Sequence, residues 1–142
     1  MIAPMQIRAN PLIITDGSLA IGTTDPKGYK LAVAGDAIAE SMTVDLQGNW
    51  PDYTFKKEYR LMPLADLKTY VDKNQHLPEI PSAAQVAKDG INLGEMNRLL
   101  LKKVEELTLY LIDQKKEMDE QKKMILSLTN DIKVLKSKND LK

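Results

Sequence analysis

The residues best placed to do chemistry are few, and most have a plainer role. Trp50, Tyr53, Phe55 and Tyr59 are four of the chain's seven aromatic residues, and they fall within ten positions. Such a cluster can serve as a ligand platform, as part of an active site, or as a packing joint between two kinds of structure. Glu105 and Glu106 are the paired carboxylates of a conceivable acid/base couple, but neighbours on a helix do not face one another. Ser82 and Lys88 have the types of a Ser-Lys dyad, yet Ser82 stands where a helix cap is needed. His76 is the only histidine, and with no cysteine in the chain a metal site would have to be built mostly from carboxylates. Its place before Leu77-Pro78 suggests a structural hydrogen bond. Gly17, Gly22, Gly28 and Gly35 read as turn glycines, and no phosphate-loop pattern occurs. The expectation is a protein with no catalytic group, no metal and no cofactor.

Composition narrows the classes further. Twenty basic and twenty acidic residues cancel, which removes the broad positive footprint of a nucleic-acid binder. No apolar run approaches the ~18 residues of a membrane span, so no membrane insertion is expected. The opening MIAPMQIRAN lacks the charged and apolar regions of a signal peptide.

The elements that must position these residues fall into three segments. Residues 1–48 read as short strands and turns. Asp16-Gly17 between two apolar runs predicts a hairpin. YKLAVAG predicts a half-buried strand with Tyr29, Leu31 and Val33 on one face, and MTVDL repeats the pattern with Met42, Val44 and Leu46. So small a sheet is marginal alone and calls for strands from other chains. Residues 49–91 read as a compact mixed piece. Pro63 fits the first position of a helix carrying Leu64, Leu67 and Val71 on one face. Pro78 and Pro81 predict extended backbone, and Ser82 and Gly90 bracket a short helix.

Residues 92–142 read as one long helix, opened by a capping box of Asn92 and Glu95. A heptad register runs through it without a skip. Its a positions are Asn97, Val104, Leu111, Met118, Ile125, Ile132 and Asn139. Its d positions are Leu93, Leu100, Leu107, Gln114, Gln121, Leu128 and Leu135. A repeat held this long predicts a parallel coiled coil, about 70 Å in length at 1.5 Å per residue. Glu117 with Lys122, and Asp131 with Lys136, are opposite charges at g and e′ positions. Val104, Ile125 and Ile132 at a with Leu at d favour two strands, whereas consecutive Gln114 and Gln121 layers suit a wider three-stranded core. Both remain open on the seam alone.

Leu99, Leu101, Leu109 and Ile112 are apolar but lie off the a/d seam. A free coiled coil would not expose them, so the preceding compact segment is expected to pack outside the rod between residues 96 and 112. Trp50, Tyr53, Phe55 and Tyr59 are the expected joint, with the first three packing towards Leu101, Leu109 and Ile112.

AIGTTDPKGYKLAVAG, WPDYTF, HLPEIPSAAQV and INLGEMNRLLLKKVEELTLYLIDQ, in that order, resemble the C-terminal region of tail-fibre-like and surface proteins of Bacteroidetes and their phages. More distantly, the layout resembles the intramolecular chaperone domain that ends phage tailspikes and fibres. That resemblance implies a homotrimer, with a small globular part on a three-helix coiled coil that nucleates assembly of the β-rich fibre upstream. Cleaving members of that family use a serine near the start of the domain, in a Ser-Asp pair followed by basic residues. The corresponding NWPDYTFKKEYR has Asp52, Lys56, Lys57 and Arg60 but no serine, and Ser41 is not followed by Asp. The resemblance therefore implies a non-cleaving relative.

The expected fold class is α+β and elongated: strands intertwined in a trimer, a small mixed segment and a long parallel coiled-coil helix. The expected function is structural trimerisation and assembly in a virion tail or on an extracellular surface. A receptor- or glycan-binding tip is the alternative, and autoproteolysis is a weaker one.

Overall fold

The computed structural model describes residues 13–45 and 50–139, and the chain divides into two compact units between Thr43 and Val44. Two short parallel strands lie in the first unit and three α-helices in the second.

In the first unit β1 (Leu19–Ile21) pairs with β2 (Leu31–Val33) in parallel, Leu19 opposite Leu31 and Ile21 opposite Val33. The predicted hairpin is therefore corrected. Asp16-Gly17 forms a bend that leads into β1, and the chain returns in the same direction through residues 22–30. Two features turn it. Asp25 accepts the Lys27 amide at 2.9 Å, and Lys27 and Gly28 follow with φ of 49° and 83°. Gly22 also sits at φ 73°, where a Cβ would come within 2.9 Å of the Ala34 carbonyl oxygen. Only glycine allows that approach of the two strands. The strand predicted at Met42–Leu46 is not formed over Met42–Asp45, and Leu46 lies outside the described residues. Leu19, Ile21, Leu31 and Val33 all remain exposed, so the half-burial expected of β2 is not supplied among the described residues.

The second unit begins with Trp50 in extended backbone, held by Pro51, and a 3-10 turn over Pro51–Phe55. Helix α1 (Leu64–Asn74) starts one residue after Pro63, which is its N-cap, and ends at Gln75 in the left-handed region. Helix α2 (Ala83–Asp89) has a full capping box between Ser82 and Gln85 and stops at Gly90, as its sequence dictates. Residues 77–80 form a turn instead of the extended segment predicted there. The Ile80 amide donates to the Leu77 carbonyl at 3.2 Å, with Pro78 second and Glu79 third at φ 69°. This is the pattern of a type II turn with glutamate where glycine is the usual residue.

Helix α3 (Leu93–Asn139) runs 47 residues, or about 70 Å. Asn92 caps it by accepting the Glu95 amide at 3.0 Å. The reciprocal half of the predicted box is absent, because the Glu95 carboxylate turns to the Arg98 guanidinium at 2.5 and 2.8 Å. A charge-assisted forked contact is stronger than one more cap bond.

Candidate assembly interface

Helix α3 has two faces that are used in opposite ways. Against its outer face, at heptad positions b, c and f, lies the 3-10 turn. Among the described residues, those fully covered are Pro51, Thr54, Gly94, Leu99, Lys102 and Glu105. Leu99 is the one large apolar side chain in that set. The other covered side chains on α3, Lys102 and Glu105, are charged.

Each covered charge has a partner from the preceding segment. Thr54, 1% exposed, donates its hydroxyl hydrogen to the Glu105 carboxylate, with the Pro51 carbonyl 3.1 Å away as the competing acceptor. The Tyr59 hydroxyl donates to Glu106, which also holds Lys103 at 2.9 Å. Lys102 reaches both oxygens of Glu79, at 2.5 and 2.6 Å, and its ammonium lies 5.8 Å from the centre of the Tyr53 ring. Tyr53 and Tyr59 stand 6.0 Å apart with their rings tilted. Lower down, the Tyr110 hydroxyl donates to the Met62 carbonyl at 2.5 Å. No buried side-chain polar atom among the described residues lacks a hydrogen-bond partner, which is what a covered polar surface requires.

These contacts set the protonation of the joint. Burial raises the Tyr59 phenol above its ordinary value, and the hydrogen bond to Glu106 and the charge of that carboxylate raise it further. Burial works against the Lys102 ammonium, but the hydrogen bonds and charge of Glu79 outweigh it and the net shift is upward. Tyr110 is raised by its burial and then by the charge of Glu106. Lys102 and Lys103 with Glu79 and Glu106 form an ionic belt at this joint.

The aromatic cluster divides. Tyr53 and Tyr59 are half-buried against α3, while Trp50 and Phe55 are 53% and 57% exposed. The covered members of the turn are Pro51 and Thr54, not the large rings, because the face they meet presents carboxylates that need a hydroxyl donor. Of the off-seam residues expected beneath the joint, Leu101 and Leu109 are half-buried and Ile112 is exposed.

The opposite face is the a/d seam. All ten apolar seam residues, from Leu93 to Leu135, are between 49% and 63% exposed. The polar seam residues Asn97, Gln114 and Gln121 are exposed as well, and from Leu111 to Asn139 so is every residue. This stretch carries an apolar stripe that no element of its own chain covers among the described residues. A helix gains most of its stability from packing such a stripe, and each seam side chain stands to gain about 1.5–3 kcal/mol on full burial.

The remaining candidates are accounted for by local structure. The Ser82 oxygen accepts the Gln85 amide at 3.3 Å. The His76 ring contacts the Leu77 carbonyl through Nδ1 at 3.0 Å and stands edge-on to Tyr70. Glu105 and Glu106 point to Thr54 and Tyr59 respectively, so they serve two contacts and not one proton. Among the described residues no cluster of metal-ligating side chains occurs, and no helix is long and apolar enough to cross a membrane. Comparison with protein-family models, curated proteins and solved structures finds no match to this chain.

Proposed function

We propose that this chain is a structural assembly module in which α3 associates with copies of itself as a parallel coiled coil. Its particular setting in this reading is the C-terminal end of a phage tail fibre or fibre-like surface protein, where it forms a homotrimer. One observation carries the reading: α3 covers lysine and glutamates on its outer face while leaving Leu100, Val104 and Leu107 exposed on the other. As a lone chain that is the reverse of a stable arrangement. In an assembly it is the right way round, since the seam becomes the core and the ionic belt becomes an outer girdle.

The two adjacent glutamine layers favour three strands, because amides around a three-fold axis can bond one another where a two-stranded core gives them less room. The mechanism is templating. Association of the rods holds three weak strand segments together, so that their pairing becomes nearly intramolecular. Leu19, Ile21, Leu31 and Val33, exposed on β1 and β2, are the surfaces that such pairing would cover.

A folded state that depends on association melts at a temperature that rises with chain concentration. Thermal unfolding followed by circular dichroism over a hundredfold range of concentration tests this. A melting temperature that does not move would count against the proposal. A second reading, a receptor- or glycan-binding tip, draws on the exposure of Trp50 and Phe55. It predicts that Trp50→Ala abolishes binding to a cell surface or glycan array while the assembled mass stays unchanged.

A further inference from the structure

The segment 61–78 covers only one flank of the seam. Going round α3 from the seam, the g and c positions lie on one side and the e and b positions on the other. Leu61, Met62, Leu64, Leu67 and Leu77 form a wall beside the first side, and with α3 they enclose an open groove of about 1040 Å³. The floor is the seam itself, including Leu100, Val104, Leu107 and Leu111, flanked by the g residues Lys103, Tyr110 and Glu117. These wall residues are left open to solvent: Leu64 is 61% exposed, and Leu77 and Met62 are exposed as well. On the other flank Thr108 and Ile112 have no wall, and Ile112 is 59% exposed.

We infer that this groove seats the α3 helix of a second copy of the chain, which enters by its e/b flank, so that the wall of one subunit closes over Leu101, Thr108 and Ile112 of the next. This rests on the coiled-coil reading above and adds to it a contact between the compact segment and a neighbouring helix. In a parallel bundle the g flank of one helix meets the e flank of the next. A wall on the g flank therefore overlies a neighbour whose e/b flank still exposes Thr108 and Ile112. The contact is head-to-tail, and repeated around a closed parallel bundle it runs from each chain to the next. Charge agrees with this occupant in the lower part of the groove. Glu106 is already paired with Lys103 there, but Asp113 and Glu117 line it without an ion pair of their own among the described residues. The arriving flank carries Lys122 at an e position beside the Lys115–Asp119 pair. The inference also gives Ile112 a cover that the described residues of its own chain do not supply.

The chain has no cysteine, so single thiols can be placed without background. Leu64→Cys and Ile112→Cys chains of different tagged mass are unfolded together, refolded and treated with a short bis-maleimide. Their assembly is measured in parallel by sedimentation. The expected result is a covalent species containing one chain of each kind, abundant in the mixture and lost when Ile112→Cys is replaced by Lys116→Cys on the outward f position. A full trimer mass without that species overturns the groove contact and leaves the coiled coil standing. Absence of any oligomer overturns both, because it removes the neighbour the groove requires.

Discussion

Glu79 holds Lys102 with both carboxylate oxygens, at 2.5 and 2.6 Å, from a backbone at φ 69°. The turn Leu77–Ile80 thus carries a side chain where glycine would be the relaxed choice, at a strain of about 1 kcal/mol. That strain is offset by delivering an anion to an ammonium that the turn, Tyr53 and α3 have largely shut off from water.

Glu79→Gln keeps the strain and loses the charge, whereas Glu79→Gly loses the charge but relaxes the turn. Glu79→Gln is therefore expected to be the less stable of the two by about 1 kcal/mol. Lys102→Met in the Glu79→Gln background should recover part of the loss, since no buried ammonium is then left unpaired. Because Glu79 is well exposed, the coupling between the two side chains is expected at about 1 kcal/mol in a double-mutant cycle of melting temperatures.

Thr54 outweighs Trp50 in this joint. Thr54→Val removes the donor that satisfies Glu105 and is expected to cost about 1–3 kcal/mol. Trp50→Ala, at an exposed position, is expected to cost less. Hydrogen exchange of the α3 amides between 98 and 109 separates them, with faster exchange in the threonine variant. Equal protection in the two variants would show that the hydroxyl contact contributes little.

In the proposed coiled coil the lower rod depends on the neighbouring chains. Ile125→Asp places a charge in the seam and is expected to unfold residues below about 113 while leaving the ionic belt above them in place. Circular dichroism should report the loss of roughly half of the α3 signal, because an isolated helix of this length with an uncovered stripe is marginal in water. Retention of full helicity in that variant would contradict dependence on the seam.

The joint has a pH dependence on the alkaline side. The Tyr59 phenol is raised in the folded chain, so its contact with Glu106 stabilises in full below the ordinary phenol value of 10.0 and is lost as pH rises through the raised one. Glu106→Gln removes the accepting charge and is expected to bring the Tyr59 transition down towards 10.0. Ultraviolet titration of that variant against Tyr59→Phe isolates the single phenol.

The parts legible in the sequence are those that repeat. A heptad register stated from Leu93 onwards needs only periodicity, and the helix from Leu93 to Asn139 follows it. Leu99, Leu101 and Leu109 also announced, by lying off the seam, that something covers α3 there. The aromatic cluster supplies part of that cover through Tyr53 and Tyr59, while Thr54 supplies a share no apolar signal announces. Thr54 and Glu105 are 51 residues apart, and Tyr59 and Glu106 are 47 apart, so no local pattern links them. The one available hint was the density of Lys102, Lys103, Glu105 and Glu106 on a face also carrying leucines. The turn at Glu79 was hidden by two prolines that suit extended backbone equally well. The Asp16-Gly17 signal specified a change of direction but not the partner of the strand that follows, which β2 supplies in parallel.

The most direct test of the account is the mass of the intact chain in solution, measured by sedimentation equilibrium at micromolar concentration. The account predicts a single species at three times the 15.9 kDa of one chain. A monomer would contradict the coiled coil, and a stable dimer would contradict the three-stranded core.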